Sequence, residues 1–205
     1  MSEFDIKAIE WDKNQMHWDR SEAIAREIFK LIPLKKSQSA MEYGAGTGIL
    51  SLILKDHLKE ILLLDNSAEM IKQSEEKIRS SGAKNLRTKF FDLEHSDLEG
   101  EKFDLIFTQM VLHHVTDIES ILGRFSKLLS PGGYIAIADL YEEDGSFHGE
   151  GFIGHKGFNP ENLSLLLANN GFNDISHRKC FVINRKTEAD LIKEFDIFLL
   201  IGKLQ

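Results

Sequence analysis

The sequence predicts an α/β fold: a doubly wound, mostly parallel seven-stranded sheet that ends in an antiparallel C-terminal hairpin strand. Three observations lead there. Short apolar runs alternate with amphipathic helical stretches through most of the chain, as a parallel sheet with helices on both faces requires. A glycine cluster, Gly44-x-Gly46-x-Gly48, stands where the first of these runs gives way to a helix. Two strand-like stretches close the chain with no helix-length segment between them, so they pair as a hairpin.

The elements follow in order. Ile24, Ile28, Leu31 and Ile32 recur at helical spacing and predict a first helix over about Ser21–Ile32, stopped by Pro33. Ala40 to Tyr43 is a strand running into the glycines, and Ile49 to His57 is a helix apolar nearly all round, hence buried. Ile61 to Leu64 reads as a strand covered on both faces, ending on Asp65. Asn66 with Glu69 three residues on predicts a capped helix start, and Gly82 its end. Leu86 to Phe91 and Phe103 to Phe107 are the next strands; Ile118, Ile121, Leu122, Phe125, Leu128 and Leu129 mark the helix after them. Pro131-Gly132-Gly133 is expected to break that helix before a strand from Tyr134 to Leu140. Asn159-Pro160 opens a last helix, closed by Asn170-Gly171, and the hairpin strands lie near Ile175–Ile183 and Phe195–Ile201. Phe103, Phe125 and Phe195 are assigned to the core. One domain over residues 1–205 accounts for everything.

Composition narrows the function classes. The 205 residues are 42% apolar and 28% charged, a globular profile, and 25 basic against 33 acidic side chains leave a net charge of −8. That balance gives no long-range attraction to nucleic-acid phosphates or anionic membranes, so neither is expected as a partner. The single cysteine, Cys180, excludes an intrachain disulfide and fits a reducing compartment; with an acidic N-terminus lacking an apolar core, it makes a cytoplasmic protein the expectation.

Strand, glycine turn, helix is a nucleotide-site arrangement, because glycines let a ligand approach the backbone beside the exposed N–H groups of a helix start. Asp65 strengthens it: the residue closes the next strand, 21 positions after Gly44, where a carboxylate can accept both hydroxyls of an adenosine ribose. A dinucleotide fingerprint would need glycine at position 49, which is Ile49, and no Walker-type phosphate loop exists in the chain.

Glu42-Tyr43-Gly44-Ala45-Gly46-Thr47-Gly48 resembles the first motif of class I S-adenosylmethionine-dependent methyltransferases. Phe91-Asp92-Leu93 is similar to their motif after the third strand. The run Phe103-Asp104-Leu105-Ile106 through Met110-Val111-Leu112-His113-His114-Val115 is similar to the strand-4 motif of small-molecule members, and Leu128 to Gly133 to the turn before strand 5. The resemblance implies S-adenosylmethionine as cofactor and S-adenosylhomocysteine as product. It places Gly44, Ala45, Gly46 and Gly48 along the methionine end, with Tyr43 and Thr47 beside them. Asp65 then lies on the ribose, Asn66 beside the adenine, Asp92 and Leu93 at the adenine edge, and Gln109 under the sulfonium, with Met110 and His114 next to it. Trp11-Asp12 to His17-Trp18 resembles a lid of small family members, making residues 1–36 a lid and Trp18 a cofactor contact. Asp144 to His148 and His155-x-Gly157-Phe158 resemble segments of the same group, and 141–158 is a candidate substrate loop.

Departures from the family's other patterns shape the acceptor. No Asn/Asp-Pro-Pro-Tyr/Phe follows strand 4 and no Pro-Cys pair exists, which sets aside the amide- or adenine-nitrogen and cytosine-C5 classes. A small-molecule acceptor is the expectation. An acceptor hydroxyl or amine must lose a proton, and a histidine near pH 7 can take it. His113, His114, His148 and His155 are the candidate catalytic residues, with His114 first; the plain alternative is one histidine on backbone and its neighbour in solvent. No metal is expected, because adjacent His113 and His114 should diverge and no acidic residue stands at ligand-like spacing. Two other readings stay open: a cofactor-binding module without transfer activity, and a nicotinamide-dependent oxidoreductase.

Overall fold

In the computed structural model, described over residues 3–186 and 191–205, two helices precede the first strand, α1 (Glu3–Trp11) and α2 (Gln15–Leu31). The first two residues of the 1–36 segment lie outside the described residues. Alternation then runs β1 (Ser39–Tyr43), α3 (Ile49–Leu54) with a 3-10 turn to His57, β2 (Glu60–Asp65), α4 (Ala68–Ser81), β3 (Leu86–Phe90) and β4 (Phe103–Gln109). It continues with a 3-10 turn at Leu112–His114, α5 (Ile118–Leu128), β5 (Leu129–Leu140), α6 (Pro160–Asn169), β6 (Phe172–Lys186) and β7 (Ile192–Leu204).

The strands form one seven-stranded sheet in the order β3-β2-β1-β4-β5-β7-β6, with β7 antiparallel to both neighbours and the other pairs parallel. The order reverses between β1 and β4, and in such sheets ligands bind outside the carboxyl ends at that crevice. Strand alternation sorts the core into two layers. Ala40, Ile61 and Leu63 face Ile24, Ile28, Leu50 and Leu54 of α2 and α3. Met41, Leu62 and Leu64 face Ile121, Phe125, Leu163 and Leu167 of α5 and α6. Phe103, Phe125 and Phe195 are buried as expected. No helix among the described residues is long and apolar enough to cross a membrane.

Four boundaries differ from the sequence reading. Helix α2 starts six residues early, at Gln15, with Asn14 as its cap accepting the Met16 N–H; its first half buries His17, Arg20 and Ser21, polar residues that break the apolar period. Helix α4 is capped by Ser67, whose hydroxyl accepts the Met70 N–H, and Asn66 is exposed; the Asp65 carboxylate takes the Ser67 N–H at 2.8 Å and turns the chain one residue later than expected. Helix α5 already ends at Leu128, and Pro131-Gly132-Gly133 lies inside β5, in an irregularity where the register against β4 shifts between Phe103 and Leu105. The hairpin is also longer. β6 and β7 stay paired from Val182 to Lys186 and from Ile192 to Asp196, past the reach of β5. The overhang props the loop after β5: Lys193 Nζ pairs with Asp144 at 2.6 Å, and the Arg185 guanidinium lies 4.7 Å from the Phe147 ring centre.

Candidate functional site

Gly44, Gly46 and Gly48 all take left-handed φ, +65°, +55° and +77°, so the turn they make is available to glycine and strained for other residues. Gly44 is pressed from outside as well. A Cβ there would stand 2.4 and 2.6 Å from the two methyls of Val111, which follows β4 across the crevice. The loop is tied to the end of β2: the Gly46 N–H donates to Asp65 Oδ2 at 2.7 Å, and the Ser67 N–H to Asp65 Oδ1. Burial pushes the Asp65 carboxyl up against these N–H groups, which hold it down. Each oxygen keeps a second lone pair, so the carboxylate can still accept ribose hydroxyls.

Helix α1 lies across this crevice. At its start the Asp5 carboxylate accepts the Ser67 hydroxyl at 2.6 Å, and the Phe4 ring meets the His114 ring edge-on at 5.1 Å. Just beyond its end, Asp12 accepts the Thr47 hydroxyl at 2.6 Å and pairs with Lys77 of α4, also at 2.6 Å. Trp18 completes that corner, donating from Nε1 to the Asp12 carbonyl while Lys77 sits 5.3 Å over its ring. Ser21 of α2 donates to the Gln109 side chain at the end of β4. Met110 follows with φ +56°, a conformation uncommon for a side-chain-bearing residue, and turns the chain toward the histidines.

The 3-10 turn at Leu112–His114 brings both histidines to one wall, their ring centres 4.2 Å apart, so the expectation that neighbours diverge does not hold. His148 joins from the loop after β5, 5.0 Å from His113 and 5.1 Å from His114 by ring centres. Asp139, fully buried near the end of β5, receives His113 Nδ1 at 2.6 Å. Burial alone would raise the Asp139 carboxyl, but His113 and the N–H groups of Leu140 and His113 hold it below the ordinary carboxylate range. The loop docks by backbone: the His155 N–H donates to the His113 carbonyl at 2.8 Å, where a Cβ on Gly154 would come within 2.3 Å. Phe152 stacks on His148 at 3.9 Å. His155 stands apart from the cluster, its Nε2 on the Val115 carbonyl at 3.0 Å.

The remaining sequence-derived candidates divide. Ala45 is buried in the glycine turn, and Leu93 is buried in the layer of α5 and α6. Tyr43 packs there too, 5.2 Å from Phe125, so its side chain points into the core rather than the crevice. Asp92 is half-buried, accepting the Glu94 N–H and facing His95 at 3.0 Å. Asn66 is exposed at the mouth beside Asp65.

Several residues of the site escaped the sequence reading. Asp139 had one available signal, an acidic residue near the end of a strand, as Asp65 has. Asp5 and Lys77 had none at sequence level, since nothing local says that α1 folds back over α4; Asp12 was named only within the lid-like segment, without its partners. Glu42 is fully buried with its Oε2 on the Ser51 hydroxyl and N–H, and burial pushes its carboxyl up to about 8. Arg20 is buried on α2, its pKa lowered to about 10 by that burial, against the pull of Asp139. Its Nε has no hydrogen-bond partner among the described residues.

These features fit S-adenosylmethionine: a crowded glycine turn for its chain and a carboxylate with spare lone pairs for its ribose. The methyltransferase-domain family matches residues 34–190. An uncharacterised methyltransferase of Schizosaccharomyces pombe is 30% identical over 151 residues, 66% of this chain and 53% of that protein. The chain spans about half the length of the first curated relatives it matches. An S-adenosylmethionine-dependent methyltransferase from Aquifex aeolicus superposes with a TM-score of 0.65 at 18% identity, covering 88% of this chain and 89% of that one. A Haemonchus contortus phosphoethanolamine N-methyltransferase, solved with phosphomonomethylethanolamine and S-adenosylhomocysteine, gives 0.70 at 14% identity over 100% of this chain and 60% of that one. Strand order, glycine turn and family match converge: the chain belongs to the methyltransferase-domain family, the S-adenosylmethionine-dependent methyltransferases of class I fold.

Proposed function

We propose that the protein transfers a methyl group to a small-molecule acceptor held between the ends of β4 and β5 and the loop 141–158. The observation that carries this reading is the wall formed by His113, His114 and His148, enclosed by Phe4 and Phe152 and reached from the glycine turn through Val111. A chamber roofed by one helix and one short loop suits a small acceptor better than a polymer. The net charge of −8 supports the same choice against nucleic acid. The Haemonchus relative in fold acts on a small phosphoamine.

When bound, the donor supplies a methyl group activated by a sulfonium. The chain's own residues do the rest. Backbone N–H groups of the glycine turn and the Asp65 carboxylate hold the donor, with Asn66, Asp92 and Leu93 around its adenine, Gln109 and Met110 at its sulfonium end, and Arg20 on its carboxylate. Helix α1 is the lid: Asp12 locks it to Thr47 and Lys77, Asp5 to Ser67, and together they exclude water. Methyl transfer is an in-line displacement, so much of the rate comes from positioning. His114, half-buried and facing the chamber, takes the acceptor's proton, and Asp139 orients its neighbour His113. Residues 1–205 act as one domain with that lid and a substrate loop at 141–158. The lone cysteine fits work in the cytoplasm.

Incubation of the protein with methyl-labelled S-adenosylmethionine and a metabolite extract, then with protein and RNA fractions of the same cells, tests the reading. Label is expected in the small-molecule fraction, and less with His114→Ala. Label confined to protein or RNA would overturn the acceptor class.

A further inference from the structure

We propose that His113, His114 and His148 bind a divalent transition-metal ion of the zinc type, with one coordination position open to the chamber. Ion binding stands on the histidines alone; only what the open position touches rests on the acceptor site proposed above. One nitrogen from each of the three rings lies within 4.8 Å of the other two. Three imidazoles around a tetrahedral ion at ~2.0–2.1 Å need nitrogens about 3.3 Å apart, a closure that small side-chain rotations supply.

The surroundings favour a metal over a merely hydrogen-bonded cluster. His113 has its Nδ1 on a fully buried carboxylate at 2.6 Å, which leaves Nε2 as the nitrogen available to an ion. A carboxylate behind a histidine ligand is the outer-shell arrangement that fixes the ring and raises its basicity. The other two rings are braced as well: Phe4 meets His114 edge-on and Phe152 stacks flat on His148. His148 is carried to the wall by a loop that the His155 N–H pins to the His113 carbonyl. Three neutral imidazoles with no carboxylate in the ligand set select zinc, cobalt, nickel or copper over magnesium or calcium. Three protein ligands leave an open position, the mark of a catalytic rather than a structural site.

In the proposed chamber, that position would take the oxygen or sulfur of an acceptor hydroxyl or thiol. With His114 then a ligand rather than the base, the acceptor's proton would pass to solvent, and its lone pair would form the bond to the methyl carbon as the carbon–sulfonium bond breaks, leaving the donor as a neutral thioether. The ion would do there what it does for bound water, whose pKa a catalytic zinc brings down to about 7.

Cobalt(II) titration of the chelator-treated full chain tests the site. One equivalent is expected to bind and to give the visible absorption of low-coordinate, nitrogen-ligated cobalt, and zinc should displace it. His148→Asn and His114→Ala should weaken binding by more than the ~100-fold that losing an outer-shell partner costs, and Asp139→Asn by about 10–100-fold. His57→Ala, on an exposed turn, should leave it unchanged, and circular dichroism checks that each variant folds. No stoichiometric binding, or binding that survives in the His114→Ala/His148→Asn double variant, overturns the proposal. Calorimetry with S-adenosylhomocysteine on the same samples keeps the two readings separate: donor binding without cobalt binding rejects the metal site alone, and cobalt binding without donor binding rejects the donor reading alone.

Discussion

Asp139 Oδ1 lies 2.6 Å from His113 Nδ1, and both side chains are sealed from solvent. The pair joins the carboxyl end of β5 to the turn after β4, and so fixes the histidine wall. Asp139→Ala should destabilise the fold by about 1–3 kcal/mol, because it strands the His113 ring N–H and the Leu140 amide. Affinity for S-adenosylhomocysteine should fall less than in Asp65→Ala, since Asp139 reaches the proposed donor site only through its pull on Arg20. Because folding lowers the Asp139 pKa, its contribution is present above the ordinary carboxylate value and lost as pH falls below it. Urea unfolding near pH 3 and pH 7 should therefore show a steeper acid loss in the wild type than in the variant.

Gly44 is constrained twice, by its φ of +65° and by Val111. Gly44→Ala should cost about 1–3 kcal/mol of stability through strain and overpacking, and abolish donor binding by displacing the turn. Adding Val111→Ala should recover the steric part and not the conformational part. Thermal unfolding of the single and double variants checks the split; equal stability of the two would show that Val111 is no obstacle.

Glu42 gives the opposite pH signature from Asp139. Its carboxyl is pushed from 4.5 up to about 8 by burial, so the folded chain holds a proton that the unfolded chain has released. Stability should fall as pH rises from about 4.5 to about 8, by at most about 1.4 kcal/mol per pH unit from this group. Glu42→Gln should remove that slope. Chemical denaturation at pH 5, 6.5 and 8 measures it, and an unchanged slope in the variant would show that Glu42 is ionised in the fold.

Asp12 fastens the end of α1, the proposed lid, to Thr47 and to Lys77, whose pKa is lowered by burial. Asp12→Ala should leave the melting temperature nearly unchanged and speed S-adenosylhomocysteine release by about tenfold, equivalent to about 1.4 kcal/mol of lost closure. Stopped-flow displacement reads the rate. An unchanged rate would make α1 a packing helix rather than a lid.

The sheet was legible because its cause is local. Ile61 to Leu64 is apolar on both faces, and the strand it predicts is the strand observed, with one residue added at each end. Asn159-Pro160 and Asn170 likewise mark the ends of α6, since caps are written in adjacent residues. The glycine turn and Asp65 were readable for the same reason, through spacing across one helix. That α1 packs back over α4 was not legible from local residues, because Asp12 meets Lys77 across 65 positions of chain. The histidine cluster was half legible. His113 and His114 could be named, but their convergence depends on a 3-10 turn and on a loop that returns His148 to them, and neither leaves a periodic trace. Asn66 reads as a cap in sequence because nothing local reveals that Asp65 captures the Ser67 amide.

The central claim is that the crevice between β1 and β4, floored by the glycine turn and edged by Asp65, is built for S-adenosylmethionine. Calorimetric titration with S-adenosylmethionine, S-adenosylhomocysteine and NADH, on the wild type and on Asp65→Ala, tests it most directly. Micromolar binding of both sulfur compounds and none of NADH is expected, with a loss of about 1–3 kcal/mol in the variant, the scale of charged hydrogen bonds. Binding of NADH alone, silence from both sulfur compounds, or unchanged affinity in a folded Asp65→Ala would contradict the account.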